Sequence, residues 1–397
     1  MTSSLILTAY TTVNACGHGL QETLQALRSG RSGLRFCDFD EAGLDTYIGR
    51  VAGVEDAPVD SSLDDFDCRN NRLAQIALQA DGFAEAVARA VKRYGSERIA
   101  VVMGSSTSSV GEGEIAYRKR LPDSGALPGS FRFDKTYDFY SLPCFVSAYL
   151  RLDGPNTTVS AACASSNKVF ADAWQWITAG ICDAAVVGGV DSLCLLTLRG
   201  FNSLELLAEG PCRPNDSDRS GLSIGEAAGF ALLERVQMPP PGSIALLGYG
   251  ESSDAHHMSA PHPEGKGALL AMGAALARAD LEPGDIDYIN LHGTGSHAND
   301  IVEDRAVYEI FGSGVLTSST KGLTGHALGA AGIVEAVISC LCLREGFIPA
   351  NLNLETLDPE FHCAVQRVSV NRPIKRVLSN SFGFGGSNCS IILGTAS

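Results

Sequence analysis

Charged residues are scarce in this chain of 397 residues, where Asp, Glu, Lys and Arg together make up 19%. It has twelve cysteines, but no CxxC pair and no Cys/His cluster at zinc-site spacing. This pattern predicts reduced thiols in a cytoplasmic protein and no metal site. No apolar run is long enough to span a bilayer, and the N-terminus lacks the basic region of a signal peptide. We therefore expect neither a membrane span nor a secretory leader.

Basic residues are outnumbered, since 30 Lys and Arg stand against 45 Asp and Glu, which gives a net charge of −15. A surface that binds nucleic acid or an anionic membrane needs an excess of positive charge. The charge balance therefore argues against both kinds of partner. An acidic protein partner would have to dock through a local basic patch.

Hydrophobic residues make up 45% of the chain, and 43 glycines cluster in turns beside apolar segments. This composition is typical of a compact α/β protein. Continuous apolar runs predict buried strands at 99–104 and 184–190, and an amphipathic pattern predicts one long helix over 71–94. Buried strands between helices indicate a parallel or mixed sheet that is covered on both faces.

The Pro-rich run at 238–242 is the clearest boundary signal and predicts two units, residues 1–238 and 239–397. Beyond it the same order of strands and helices returns. We expect an internal duplication, in which TVSAAC with its helix parallels LTSSTKGLTGH with its helix, and AAVVGGVD parallels LSNSFGFGGSN. Such a duplication would bring the strand ends of both units to one central site.

Cys163 lies between a β-prone segment at 157–159 and a helical pattern that includes Val169, Phe170 and Ala173. This order places its side chain at a helix N-terminus, where unpaired N–H groups and the helix dipole stabilise a thiolate. The alternative is a small buried hydrophobe, which is the usual state of a free cysteine. The surrounding pattern favours the nucleophile.

Other candidate residues are His292 in NLHGTGS, Lys321 and His326 in STKGLTGHALGAAG, and the glycine loop around Phe384. Each alone has an ordinary alternative: a structural histidine, a solvated lysine, a simple turn. Together with Cys163 they lie at equivalent strand ends of a duplicated fold. Glycines there would let backbone N–H groups approach a ligand closely.

The segments SAACASS, LHGTGS, STKGLTGHALGAAG and NSFGFGGSN, in this order, resemble the β-ketoacyl-ACP synthases of the I/II type, which are thiolase-fold condensing enzymes. Residues 213–229 resemble the family's RP-x-D-x-x-R-x-G…GE segment. The resemblance covers essentially the whole chain and implies an α/β thiolase fold with a duplicated, five-layered αβαβα architecture. Type III synthases use Cys, His and Asn, and thiolases use a second cysteine; we find neither pattern.

The resemblance implies that Cys163 takes an acyl group from acyl carrier protein as a thioester, with the backbone N–H groups of Cys163 and Phe384 as the oxyanion hole. Malonyl carrier protein then loses CO₂, and the neutral imidazoles of His292 and His326 stabilise the enolate. Lys321 would hold His326 and the local charge. The carbanion attacks the thioester, and a β-ketoacyl chain leaves on the carrier protein.

Further roles are implied for residues around this set: a support for the lysine, a route for the phosphopantetheine arm, and a gate with its hinges. Glu335 would support the lysine, and Thr294 and Ser296 would line the route of the arm. Phe384 would be the gate, with Gly383 and Gly385 as its hinges. The resemblance implies no metal and no enzyme-bound cofactor, because the substrates travel on the phosphopantetheine of acyl carrier protein.

Alternatives remain open at this point. The chain could be a non-elongating partner subunit of the chain-length-factor kind, or a thiolase-like acyltransferase acting on CoA esters. The pathway could be fatty acid synthesis or specialised polyketide synthesis. Two features favour the specialised kind, of the aryl polyene type: the segment 68–74 and the polar residues 165–168. We expect the polar residues to alter the acyl pocket. The dimer could be a homodimer or a heterodimer. Candidate cations for docking the carrier protein are Arg69, Arg72, Arg132 and Lys135.

Overall fold

A computed structural model describes residues 4–39 and 42–396. The strands, numbered along the chain, are β1 (Ser4–Asn14), β2 (Gly17–His18), β3 (Leu34–Phe36), β4 (Tyr47–Gly49), β5 (Ile99–Gly104), β6 (Asn156–Val159), β7 (Ala184–Asp191), β8 (Ala227–Val236), β9 (Ile244–Ser253), β10 (Tyr288–Asn290), β11 (Leu316–Ser318), β12 (Phe347–Ile348), β13 (Ala364–Val365), β14 (Val370–Asn371), β15 (Arg376–Gly383) and β16 (Ser387–Thr395). The helices are α1 (Leu20–Ser29), α2 (Arg69–Gln79), α3 (Phe83–Tyr94), α4 (Val110–Arg118), α5 (Ser141–Leu150), α6 (Ser165–Thr178), α7 (Leu195–Ser203), α8 (Lys266–Ala279), α9 (His297–Phe311), α10 (Lys321–Thr324) and α11 (Ala331–Glu345).

The main sheet consists of two halves with the same strand order. One half reads β6-β5-β7-β8-β1 and the other reads β11-β10-β15-β16-β9. In each half the first three strands are parallel and the last two are antiparallel additions. A short antiparallel pairing of β1 with β9 joins the halves. The predicted duplication is confirmed, because β6 corresponds to β11 and β7 corresponds to β15.

Two helices form the layer between the half-sheets. Helix α6 contacts β5 and β7 on one side and β9 and β16 on the other, and α11 likewise contacts both halves. Helices α2, α3 and α5 cover the outer face of the first half, and α8, with α9 beside it, covers the second. The chain therefore has the predicted five αβαβα layers.

The central layer positions the chemistry. Cys163 follows β6 and precedes α6, and His326 precedes α11 in the other half. Because α6 and α11 pack against each other between the sheets, the two helix starts meet. His292 and Lys321 follow the carboxyl ends of β10 and β11, which lie side by side in parallel. Strand ends of both halves thus converge on one place.

The predicted helix over 71–94 is broken in the structure. Helix α2 ends at Gln79 and α3 begins at Phe83, and Asp81 between them has a φ of 56°. The Asp81 carboxylate accepts hydrogen bonds from the Thr11 hydroxyl and from the Leu20 backbone N–H at the start of α1. A tertiary contact that caps another helix therefore overrides the local helical pattern.

Two of the polar residues after Cys163 lie between the two halves of the sheet. Ser166 and Asn167 are fully buried in the central layer. The Ser166 hydroxyl accepts a hydrogen bond from the Ile333 N–H at 2.9 Å, and the Asn167 amide donates to the Ser379 carbonyl at 3.3 Å. Their polarity serves the contact between the two halves.

Two further predictions concern chain topology and membranes. The predicted division between residues 238 and 239 falls in the connection from β8 to β9. Within the described ranges, none of the helices combines the length and the hydropathy needed to cross a bilayer.

The central layer is expected to carry much of the stability. Phe170 on α6 is fully buried, so Phe170→Ala should lower the free energy of unfolding by about 3–5 kcal/mol. Leu270→Ala, on a helix side chain that is 62% exposed, should change it by about 0.5 kcal/mol or less. Urea unfolding followed by circular dichroism measures both, and equal losses would contradict the layer assignment.

Candidate active site

The cysteine predicted to be the nucleophile lies against one of the two histidines. Cys163 Sγ is 3.0 Å from His326 Nε2, and the turn before it places Ala162 at a φ of 48°. The His292 ring lies 5.3 Å from the His326 ring, nearly perpendicular to it. All three side chains are buried, and their sulfur and nitrogen donor atoms lie within 4.8 Å of one another. The structure brings together the three residues that the sequence selected.

Lys321 and Glu335 form a buried ion pair beneath the histidines, with 1% and 2% of their surfaces exposed. The Lys321 Nζ also donates to the His292 carbonyl and lies 3.5 Å from His292 Nδ1. We expected Lys321 to hold His326, and this expectation is wrong, because the residue that Lys321 contacts is His292. The short helix α10 places the Lys321 ammonium under the loop that follows β10, and that loop carries His292.

Burial determines the protonation of the site. It lowers the pKa of both His292 and His326 well below the usual value, and the nearby Lys321 charge acts in the same direction. Burial also raises the pKa of the Cys163 thiol to about 11, against the opposing effects of Lys321 and of the Phe384 backbone N–H. At neutral pH the site therefore holds two neutral imidazoles and a thiol. The sequence suggested an acidic thiol at the start of a helix. The thiol is not acidic, because desolvation raises its pKa by more than the nearby N–H groups and charges lower it.

Helix α9 supplies two buried carboxylates that sequence reasoning missed. Glu303 accepts the backbone N–H groups of residues 292 and 293, each at 2.8 Å. Asp300 accepts those of residues 294 and 295 at 3.0–3.2 Å. The four consecutive backbone N–H groups of residues 292–295 are thus all bonded to carboxylates on one face of α9. An Asp-x-x-Glu pair one turn apart, which begins four residues after the end of HGTGS, was the available signal.

Thr294 and Ser296 line the same cavity as Cys163. Their hydroxyl oxygens are 3.0 Å apart, and both residues line a cavity of about 70 Å³ that also contains Cys163 and the two histidines. Its aromatic and aliphatic lining is Phe201, Leu206, Leu222, Phe382 and Phe384. A narrow passage with two hydroxyls and apolar walls suits an extended thiol-bearing arm.

The glycine loop reaches the nucleophile through its backbone. A Cβ added to Gly383 would lie 2.9 Å from the Ala161 carbonyl oxygen, so only glycine allows this approach. Burial dominates the pKa of the thiol, and the nearby N–H groups of Phe384 and Cys163 act to lower it. The Phe384 ring stacks on the Phe201 ring with centroids 5.6 Å apart. Gly385 has a φ of 82° and open space around it.

The cations considered for carrier-protein docking are engaged within the chain. Three arginines form ion pairs with acidic side chains, and Lys135 lies 4.5 Å above the ring of Phe66. The ion pairs are Arg69 with Glu226 and Glu55, Arg72 with Asp67, and Arg132 with Asp65. These interactions weaken the case for docking through this set.

Two domains of one family together match most of the chain. Residues 4–238 match the family described as Beta-ketoacyl synthase, N-terminal domain, and residues 244–355 match Beta-ketoacyl synthase, C-terminal domain. The chain belongs to the β-ketoacyl synthase family. The resemblance to synthases of the I/II type is confirmed, and with it the thiolase fold.

Individual members of the β-ketoacyl synthase family show the same likeness. A 3-oxoacyl-(acyl-carrier-protein) synthase 2 of Rhizobium meliloti is 41% identical over 264 residues, which is 62% of this chain and 62% of that relative, so the match spans less than two thirds of its length. One from Staphylococcus aureus is 29% identical over 98% of this chain and 100% of the relative. A structure of the ketosynthase ApeO in complex with its chain length factor ApeC, from Xenorhabdus doucetiae, is similar with a TM-score of 0.90 and 39% identity, over 99% of this chain and 98% of that one.

The raised pKa of the thiol predicts how Cys163 reacts with alkylating agents. Since only the thiolate reacts, the rate with iodoacetamide should rise about tenfold per pH unit from pH 7 to pH 9. Peptide mass spectrometry measures labelling at Cys163, with Cys163→Ala as the background. A rate that levels off near pH 7 would mean that the thiol is acidic and would contradict the assigned protonation.

The carboxylates of α9 make a second prediction. Glu303→Gln places an amide NH₂ against one of two backbone donors, so exchange of the amide hydrogens of residues 292 and 293 should accelerate about tenfold. The amides of residues 294 and 295, held by Asp300, should be unaffected. Native-state hydrogen exchange measures all four, with the exposed Glu309→Gln as the matched control on the same helix. Equal acceleration at all four amides would contradict the division between the two carboxylates.

Proposed function

We propose that this chain is a β-ketoacyl-ACP synthase, which condenses an acyl group held on Cys163 with malonyl-ACP to give β-ketoacyl-ACP. The supporting observation is the thiol at 3.0 Å from His326 Nε2, with a second neutral imidazole beside it at the end of a narrow cavity. Fatty acid synthesis and specialised polyketide synthesis, including the aryl polyene type, are the pathways in which such a reaction belongs.

In the first half-reaction the sulfur of Cys163 attacks the carbonyl carbon of an acyl thioester. The thiol proton passes to His326 Nε2, which is in hydrogen-bond range. The N–H groups of Cys163 and Phe384 hold the oxyanion, and one such donor is worth about 3 kcal/mol in comparable enzymes. The carbon–sulfur bond to the carrier then breaks, and the departing carrier thiolate takes that proton back from the His326 imidazolium, which returns to the neutral imidazole.

In the second half-reaction the thioester oxygen of the malonyl group accepts N–H bonds from His292 and His326. Neutral imidazoles stabilise the enolate that forms as CO₂ leaves, and their low pKa keeps them from protonating its carbon. That carbon attacks the Cys163 thioester and a carbon–carbon bond forms. The carbon–sulfur bond breaks, and the Cys163 thiolate takes a proton from solvent, because the loss of CO₂ consumes one proton overall. The acyl chain, now two carbons longer, remains on the carrier.

His326 has the freedom that both steps require. Its Nδ1 has no hydrogen-bond partner in the described part of the chain, so only the Cys163 thiol at Nε2 acts on its tautomer, and acylation of the cysteine removes that thiol proton. Nε2 is therefore able to accept the thiol proton in the first step and to donate a hydrogen bond in the second. His292 is buried beside Lys321, and its burial together with the lysine charge keeps it neutral throughout.

Substrates would arrive on the phosphopantetheine of acyl carrier protein, so the enzyme needs no cofactor of its own, and we place the reaction in the cytoplasm. The arm would pass Thr294 and Ser296 to reach Cys163. Phe384 would act as the gate, hinged at Gly383 and Gly385 and resting on the Phe201 ring when closed.

A ketosynthase-like partner, identical or homologous, would complete the assembly. Strand β6 is at the edge of the sheet, and large apolar side chains are exposed on α4, on α7 and in the segments that follow these helices. They include Ile115, Tyr117, Leu121, Phe133, Leu196 and Leu204. The ApeO–ApeC structure is a ketosynthase with its chain length factor, which supports a heterodimer as one form. The silent-partner alternative is disfavoured because the thiol and both histidines are present and in contact.

Intact-mass spectrometry tests the proposal. After mixing with acyl carrier proteins that bear different acyl groups, Cys163 should gain an acyl mass, which malonyl carrier protein should then convert to a product two carbons longer. Cys163→Ala should form no adduct but keep some malonyl decarboxylation, and Cys182→Ala, a buried cysteine elsewhere, should behave as wild type.

The histidine variants separate the two half-reactions. His292→Ala should spare acylation and reduce decarboxylation at least tenfold, whereas His326→Ala should impair both. No adduct from any donor, even with a co-expressed ketosynthase-like chain, would overturn the proposed activity. An adduct that forms only with that chain present would support the heterodimer.

A further inference from the structure

The segment at 212–221 takes no part in the chemistry, yet it packs against the loop that carries His292. A Cβ added to Gly295 would lie 2.6 Å from the Gly221 carbonyl oxygen, so the two backbones are in direct contact. The Asn215 N–H donates to Asp300 Oδ2 at 3.0 Å. The segment therefore contacts both the entrance loop and the carboxylate that holds it.

Arg219 is the largest fully buried side chain in the described part of the protein. Its Nη1 donates to the Asp216 carbonyl at 2.7 Å and to Asp358 Oδ2 at 2.6 Å, and the guanidinium lies 4.9 Å above the ring of Phe361. Burying a guanidinium is costly unless nearby carboxylates compensate it. The position of the guanidinium is thus fixed by the Asp216 carbonyl, the Asp358 carboxylate and the Phe361 ring.

Two donors of this guanidinium, Nε and Nη2, have no hydrogen-bond partner in the described part of the protein. Nε lies 3.8 Å from Asp300 Oδ2, which is within ion-pair distance but beyond a hydrogen bond. Both side chains are completely buried. In this low-dielectric position the attraction between the Arg219 guanidinium and the Asp300 carboxylate is stronger than it would be at a surface. Arg219 therefore acts on its surroundings through Asp300.

Asp300 connects this charge to the substrate entrance. Burial raises the pKa of its carboxyl, and the hydrogen bonds from Asn215 and Asn299 together with the Arg219 charge oppose that effect. The carboxylate accepts the N–H groups of Thr294 and Gly295. Loss of the cation would favour the neutral acid, which is a poorer acceptor for both.

We propose that Arg219 is a positioning residue: through Asp300 it fixes the Thr294–Gly295 backbone where the phosphopantetheine arm enters. The second part of this inference rests on the proposed function, since the arm belongs to the carrier protein. The link from Arg219 to the loop does not. Arg219 touches no reacting atom, so its removal should affect arm binding before it affects chemistry.

Two variants test the proposal. Arg219→Met removes the charge at similar length, and Arg219→Lys keeps the charge but not the planar fork. Arg93→Met removes a guanidinium from another ion pair with a buried carboxylate, between Arg93 on the outer helix α3 and Glu234 on β8, and serves as the matched control. Hydrogen exchange at the amides of residues 294 and 295 should accelerate about tenfold in Arg219→Met and less in Arg219→Lys. The amides of residues 292 and 293 should change little.

Kinetics complete the test. For malonyl carrier protein, Arg219→Met should raise KM about fivefold or more with kcat within about twofold, and alkylation of Cys163 by iodoacetamide, which has no arm, should match wild type. Exchange and KM values no different from those of Arg93→Met would overturn the proposal. If Arg219→Met does not fold, Arg219→Lys, for which a smaller acceleration at residues 294 and 295 is expected, must still exceed Arg93→Met, and no difference between these two would overturn the proposal. If the wild-type protein shows no condensation, the proposed function fails while the exchange data still decide the link from Arg219.

Discussion

Removal of the reactive groups from water is the constraint on which this site depends. The thiol of Cys163, both imidazoles and the Lys321–Glu335 pair are all buried. In a low dielectric the charged form of each isolated group is disfavoured, which leaves a protonated thiol and neutral imidazoles. The site is therefore organised for hydrogen-bond donation to a developing negative charge, and the protein provides that donation in advance of the reaction.

Such a site needs rigid support, and the fold supplies it from several directions. The packed pair α6 and α11 fixes the distance between Cys163 and His326. Helix α9 holds the backbone of the His292 loop through Asp300 and Glu303. These supports come from both halves of the duplicated sheet, so neither half alone would form the site.

Much of the fold could be read from the sequence, because apolar runs and their repetition report directly on buried strands and duplicated units. The convergence of Cys163, His292 and His326 also followed from strand ends in a duplicated sheet. What failed depends on tertiary contacts that no local pattern encodes. The break at Asp81 comes from capping a distant helix, the thiol pKa comes from burial, and the lysine partner comes from the placement of α10.

The neutrality of the two buried histidines is the central claim, and carbon-13 NMR of the protein labelled at histidine Cε1 tests it most directly. Variants at His292 and His326 assign the two resonances, and exposed histidines in the same sample show that the label reports protonation. We predict that both assigned resonances keep their neutral positions from pH 8 down to about pH 5.5. A resonance of either residue that titrates between about pH 6 and pH 7 would contradict the account.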